Sequence, residues 1–160
     1  MQLPKLFTMQ RELDSFIQSN RKAGDVFEEK GLALLVELAE LANETRCFKF
    51  WSTKGPSERA VILEEYVDSI HFLLSLGIEK GFDTLGNWPN ERVEGSLTQL
   101  FLKTAASIDK FLHELTMDRY EQVWSHYGAI ARELGFSHED ILSAYIEKNE
   151  ENFNRQRNGY

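Results

Sequence analysis

Little in this sequence staples or interrupts the chain. Cys47 is the only cysteine, so no internal disulfide framework is possible. A lone thiol fits a reducing compartment. Three prolines in 160 residues leave nearly the whole chain free to form regular structure. No run approaches the roughly 20 apolar residues of a membrane span. The opening residues, MQLPKLFTMQ, lack a signal peptide's apolar stretch. A cytoplasmic protein without a membrane segment is expected. Basic residues are also scarce, with 18 Lys and Arg against 26 Asp and Glu and a net charge of −8. That balance argues against direct nucleic-acid binding. It also means that any polyphosphate ligand would need a metal ion or a local basic cluster.

What is present is helical periodicity. Leu6, Met9, Leu13, Phe16 and Ile17 mark a first helix over Leu6–Ser19. A second is expected from about Val26 to Phe50, with Asp25 as its cap and Glu28 completing a capping box. STKGPS, residues 52–57, breaks it. A third helix follows from Glu58 to about Lys80, capped by Ser57. Its run VILEEYVDSIHFLL is too long for one strand and fits a helix buried on two sides. Residues 81–95 read as a loop. A fourth helix spans Ser96–Leu115, and its Leu97, Leu100, Phe101, Leu102, Ala105, Ala106 and Ile108 serve either the core or a dimer surface. A fifth spans Asp118–Leu134, ending at Gly135. A sixth is capped by Ser137 with Asp140 at its third position, and runs to roughly Asn152. No segment alternates cleanly enough for a strand. The expected fold is all-α, a bundle of about six helices. Residues 1–153 are expected to form a single helical domain, which would carry any catalytic site, and 154–160 a mobile C-terminal tail.

The chemistry lies in carboxylates. Glu37, Glu40 and Glu44 share one face of the second helix, and Glu65 and Asp68 are three apart on the third. Glu40 precedes Trp51 by eleven residues, and Glu65 follows Ser57 by eight. At about 1.5 Å per residue, these lie roughly 16 Å and 12 Å from the connection. In an antiparallel hairpin Glu40 and Glu65 then share one level, and Glu37 and Asp68 the next. Four converging carboxylates suit a hard cation such as Mg²⁺. The competing reading is a set of solvated acidic faces, as most helical glutamates are. A ferritin-like di-iron site needs two Glu-x-x-His motifs. The nearest match here is Asp68-x-x-His71.

Five stretches of the sequence carry a resemblance. ELAELANE with EEYVD resembles the E-x-x-E … E-x-x-D signature of the all-α nucleoside triphosphate pyrophosphatases, a superfamily that includes MazG-like proteins and the dimeric dUTPases. ETRCFKFWS, between the acidic pairs, is similar to the corresponding dUTPase segment. KNEENFNRQRNGY resembles the motif that closes the dimeric dUTPase active site, and QRELDSFI resembles the family's opening motif. The resemblance spans nearly the whole chain.

It implies a homodimer that cleaves dUTP to dUMP and pyrophosphate by attack at the β-phosphorus, with dUDP as a further substrate. Glu37, Glu40, Glu65 and Asp68 would be the Mg²⁺ ligands and catalytic carboxylates. One of them, or Glu44, would orient or deprotonate the attacking water. Gln10 would contact uracil. Lys148, Arg155 and Tyr160 would bind phosphates, with Asn152 near sugar or phosphates and Lys54 a further phosphate ligand. Asn43 and His71 would meet the sugar. Phe48, Trp51 and Phe72 would form the base pocket, within the chain or across the dimer interface. Two alternatives stay open. One is a related pyrophosphatase with another base specificity; the other is a non-catalytic helical interaction protein.

Overall fold

A computed structural model describes residues 1–159. The chain forms six helices: α1 Pro4–Arg21, α2 Phe27–Thr45, α3 Arg59–Glu79, α4 Leu97–His113, α5 Met117–Leu134 and α6 His138–Arg157. There is no strand among the described residues, only one isolated bridge between Gln2 and Asn87. The fold is an all-α bundle, as the periodicity predicts.

The long apolar run became the central helix. α3 buries side chains around most of its circumference, from Ile62, Tyr66 and Ile70 to Leu73, Leu74 and Leu76. It packs against α1, α2 and α6. Two tyrosines of α5 reach it by hydrogen bonds: Tyr120 donates to the Leu73 carbonyl at 2.7 Å, and Tyr66 of α3 donates to the Tyr127 carbonyl at 2.7 Å. Each bond satisfies a hydroxyl that would otherwise be costly to bury. Gly77 makes the first approach possible, because a Cβ there would collide with the Tyr120 hydroxyl. The loop after α3 also feeds the core. Trp88 is buried and donates its indole N–H to the Trp124 carbonyl at 2.8 Å.

Helix ends agree with the sequence where local capping decides them. Ser96 with Gln99 and Ser137 with Asp140 both form complete capping boxes. Gly135 ends α5 with φ of 75°, a left-handed conformation that glycine adopts without strain. The ends differ where longer contacts compete. Ser57 does not cap α3; Glu58 holds that position without a side-chain bond. The Ser57 hydroxyl instead donates to the Glu44 carboxylate, and its N–H to the Glu44 carbonyl at 3.0 Å. Asp25 accepts the Phe27 N–H at 3.0 Å, but Val26 is the cap of α2 and no capping box forms. α2 stops at Thr45, short of the expected Phe50, because Arg46 turns left-handed with φ of 58°. The Arg46 guanidinium then bonds Ser52 and the Lys54 carbonyl, tying the connection to α3. α6 runs past the expected Asn152 to Arg157, so most of the segment assigned to the tail is helical.

Candidate active site

Three helices bring their polar positions to one cavity of about 390 Å³. α1 contributes Gln10 and Asp14, α2 Lys30 and Glu37, α3 Asp68, His71, Phe72 and Ser75. α6 closes it with Lys148, Asn152 and Arg155. Each contributing pair sits one or two helical turns apart, so each helix presents one stripe to the same space.

The floor of the site is acidic. Carboxylate oxygens of Glu37, Glu65 and Asp68 lie within 4.8 Å of one another. The α2–α3 hairpin creates this convergence: it brings Glu37 to Asp68, as the residue spacing gave, and Glu65 joins them without the Glu40 that the spacing set beside it. Burial raises Glu37 to about 8, and the charges of Asp68, Glu40 and Glu65 add to the shift. Glu65 rises to about 7, again by burial and then by the charges of Asp68, Glu40 and Glu44. Asp68 rises to about 6, with burial partly offset by Lys148. Glu40 is exposed and stands beside the cluster, near enough for its charge to act on both glutamates.

The donor set fits a hard divalent cation. Glu37 Oε2 and Glu65 Oε2 are buried and have no hydrogen-bond partner among the described residues. Such groups are costly unless paired, and oxygen-rich clusters of this kind suit Mg²⁺. One protein cation already leans on the cluster. Lys148 is buried and lies 2.8 Å from Glu64, 3.3 Å from Asp68 and 3.6 Å from Glu151. Burial alone would lower its pKa, but the bond to Glu64 and the surrounding carboxylates outweigh burial and raise it.

Beside the acidic cluster stands a second polar network. His71 Nδ1 lies 2.7 Å from Gln10 Oε1, and Tyr145 donates to the same oxygen at 2.8 Å. The His71 ring stacks on Tyr145 at 4.2 Å. Burial, then Lys148, push His71 down to about 3, so the imidazole is neutral. Gln10 Nε2 donates to Asp14 at 2.9 Å, and Ser75 donates to the other Asp14 oxygen at 2.7 Å. Burial raises the Asp14 pKa against those two hydrogen bonds.

The structure therefore gathers Gln10, Glu37, Glu65, Asp68, His71, Phe72, Lys148, Asn152 and Arg155 at one site. It does not bring the remaining residues into that cavity. Asn43 is exposed on α2, and Lys54 is exposed in the hairpin connection. Phe48 and Trp51 lie apart from Phe72. Phe48 lines an apolar cleft between α2 and α4 with Leu38, Phe101 and Leu102. Trp51 is 65% exposed and packs edge-on against Phe48 and Phe50. Tyr160 lies outside the described residues. Asp14, Lys30, Ser75 and Tyr145 were not singled out in the sequence. Two of them had a signal, since Asp14 follows Gln10 and Ser75 follows His71 by one helical turn on the same face.

A comparison with curated proteins returned no match. A family model described as dUTPase, in contrast, matches residues 2–160. That span includes both acidic helices, the Gln10 network on α1 and the basic end of α6, which the fold has just placed around one cavity. The chain belongs to the dUTPase family, a family of hydrolases acting on nucleotides.

Proposed function

We propose that this protein hydrolyses dUTP, and dUDP as a secondary substrate, to dUMP, with pyrophosphate released from dUTP, using Mg²⁺ held by Glu37, Glu65 and Asp68 with Glu40 beside them. One observation supports this above the others: Glu37 and Asp68 of a half-buried three-carboxylate cluster share a cavity with two α6 cations and the Gln10–His71 hydrogen-bonding network. Triphosphate and base need such different surroundings within a single pocket. When bound, the ion supplies positive charge against the triphosphate.

The chain's own residues do the rest. Lys148 and Arg155 bind phosphate oxygens, the guanidinium by a bidentate fork. Asn152 holds the sugar or an adjacent phosphate. One of the metal-binding carboxylates, or Glu44 on the same face of α2, orients or deprotonates the attacking water. Gln10 meets the uracil edge, with Phe72 against the base. The end of α6 and the residues after it, through Tyr160, close over the nucleotide and exclude water.

The proposal extends to a cytoplasmic homodimer. Leu32 and Leu102 are 63% and 68% exposed, and Val36 and Phe48 are also exposed, next to the apolar cleft between α2 and α4. A second copy covering that face would also bring Phe48 and Trp51 of one chain toward the base site of the other. None of the helices described is long and apolar enough to cross a membrane.

A panel of nucleoside triphosphates, assayed for pyrophosphate release with Mg²⁺ and with EDTA, tests the reading. The expected result is Mg²⁺-dependent release with dUTP preferred. Release from every nucleotide at equal kcat/KM would favour a pyrophosphatase of broader specificity. No release from any would leave a binding protein.

A further inference from the structure

The Gln10 side chain is held in one orientation by three hydrogen-bond partners, one of them fixed in turn by Ser75. Its Oε1 takes hydrogen bonds from both His71 Nδ1 and Tyr145. Its Nε2 donates to Asp14 Oδ1 at 2.9 Å. Asp14 cannot swing away cheaply, because Ser75 donates to its other oxygen at 2.7 Å. Asp14 is half-buried and the rest is nearly dry: Gln10 is 3% exposed, Ser75 2%, His71 5% and Tyr145 0%.

The network also fixes the histidine tautomer. A neutral imidazole has a single N–H. If Nδ1 donates it to Gln10, then Nε2 carries a lone pair. His71 Nε2 is buried and has no partner among the described residues. Gln10 and His71 both line the cavity, and what the pair can still offer a ligand is an acceptor, His71 Nε2, and a donor, the second N–H of Gln10. Uracil presents the complement, an N3–H flanked by carbonyl oxygens. Cytosine presents the reverse, an unprotonated N3 beside an amine. Accepting cytosine would require turning the Gln10 amide over. Its oxygen would then face the Asp14 carboxylate, acceptor against acceptor, and its NH₂ would face the donors of His71 and Tyr145. Mismatches of this kind leave buried groups unsatisfied, which is how polar sites reject near-isosteric ligands.

We propose that Asp14 and Ser75 are positioning residues that fix the direction of the Gln10 amide and thereby set the preference for uracil over cytosine. The inference rests on the reading of this cavity as a dUTP site. Asp14→Asn is the sharpest probe, because it keeps the volume and removes the asymmetry. The new amide can donate to Gln10 Oε1. Gln10 can then donate to His71 Nδ1, moving the imidazole proton to Nε2 and inverting what the pair offers.

The experiment compares kcat/KM for dUTP and dCTP in the unmodified protein and in Asp14→Asn, Ser75→Ala and Ser75→Thr. The dUTP-to-dCTP ratio should fall about tenfold or more in Asp14→Asn. It should fall less in Ser75→Ala and be retained in Ser75→Thr, which keeps the hydroxyl. Equal losses on both substrates, with the ratio unchanged, would mean a merely structural role and overturn the proposal. Long-range ¹H–¹⁵N correlation spectra of His71 give a readout independent of turnover. The unmodified protein should show the Nδ1–H tautomer, and Asp14→Asn a shift toward Nε2–H. An Nε2–H tautomer in the unmodified protein would overturn the amide assignment. An unmodified protein without preference for dUTP would overturn the functional reading and the selectivity step together, while the tautomer still decides the amide direction.

Discussion

The Lys148 ammonium lies 3.3 Å from Asp68 Oδ1, so a protein cation occupies the edge of the same acidic cluster that suits Mg²⁺. In the metal-free protein this lysine offsets part of the repulsion among Glu37, Glu65 and Asp68. A divalent ion at the cluster would compete with it for Asp68 and release it toward phosphate. Lys148→Met should therefore destabilise the metal-free protein by about 1–3 kcal/mol, the range for losing a charged hydrogen-bond partner. The same change should tighten Mg²⁺ or Mn²⁺ binding severalfold in calorimetric titration while weakening dUTP binding. Unchanged metal affinity would mean that Lys148 and the ion do not share Asp68.

The same cluster makes metal-free stability depend on pH. Glu37, Glu65 and Asp68 have folded values of about 8, 7 and 6, above their ordinary values of 4.5, 4.5 and 3.8, and burial is the first cause for each. A carboxyl raised on folding binds its proton more tightly in the native state. Its contribution is present in full below the unfolded value and is lost as pH rises through the folded value. Stability in EDTA should therefore fall between about pH 4 and pH 8. Saturating Mg²⁺ should suppress that fall, because an ion replaces the protons. Melting temperatures across this window, with and without Mg²⁺, measure both effects. A pH-independent difference between the two series would contradict the assignment.

Removing one negative ligand at constant volume separates catalysis from folding. Asp68→Asn and Glu37→Gln should each lower hydrolysis at saturating Mg²⁺ by roughly a hundredfold or more, the scale of losing one electrostatic stabiliser. Melting temperature in EDTA should hold or rise, since like charges are relieved. Glu40→Gln is expected to abolish most activity as well, even though Glu40 is exposed. Near-normal turnover by Glu40→Gln alone would remove it from the ligand set and leave Glu37, Glu65 and Asp68.

Why the carboxylate convergence was legible in the sequence is clear from its geometry. A helical hairpin with a short connection fixes which residues share a level, so counting from the break placed Glu37 with Asp68. The same counting could not place Phe48 or Trp51. Their positions depend on how α2 ends, which the left-handed Arg46 and its bonds to Ser52 and Lys54 decide. Ser57 misled for a similar reason: its local role as a cap lost to a partner thirteen residues earlier, Glu44. The Gln10 network was hidden differently. Asp14 and Ser75 share faces with Gln10 and His71, but only the docking of α1 against α3 turns two one-helix spacings into one hydrogen-bonded unit.

The C-terminal residues give the test that most sharply separates an enzyme from a generic bundle. α6 is helical to Arg157, and its end is tethered lightly to α1. Phe153 contacts Phe16 at 5.3 Å, the Arg157 guanidinium lies 5.9 Å from the Phe16 ring, and Arg21 donates to Gln156 at 3.2 Å. The groups beyond Phe153 are mostly polar or charged and partly exposed, and such contacts contribute only about 0–1 kcal/mol each. The bundle's core, centred on α3, owes them nothing. The nucleotide site owes them more, because Arg155 lines the cavity. Truncation after Phe153 should therefore lower the melting temperature only slightly and leave the oligomeric state unchanged. It should cut dUTP hydrolysis by roughly a hundredfold, as expected for losing a cation that stabilises developing phosphate charge. Arg155→Ala in the full chain should account for a large part of that loss, with Arg157→Ala contributing less. Full activity in the truncated protein would show that the end of α6 is an ordinary solvated terminus, and that Lys148 alone supplies the basic side of the site.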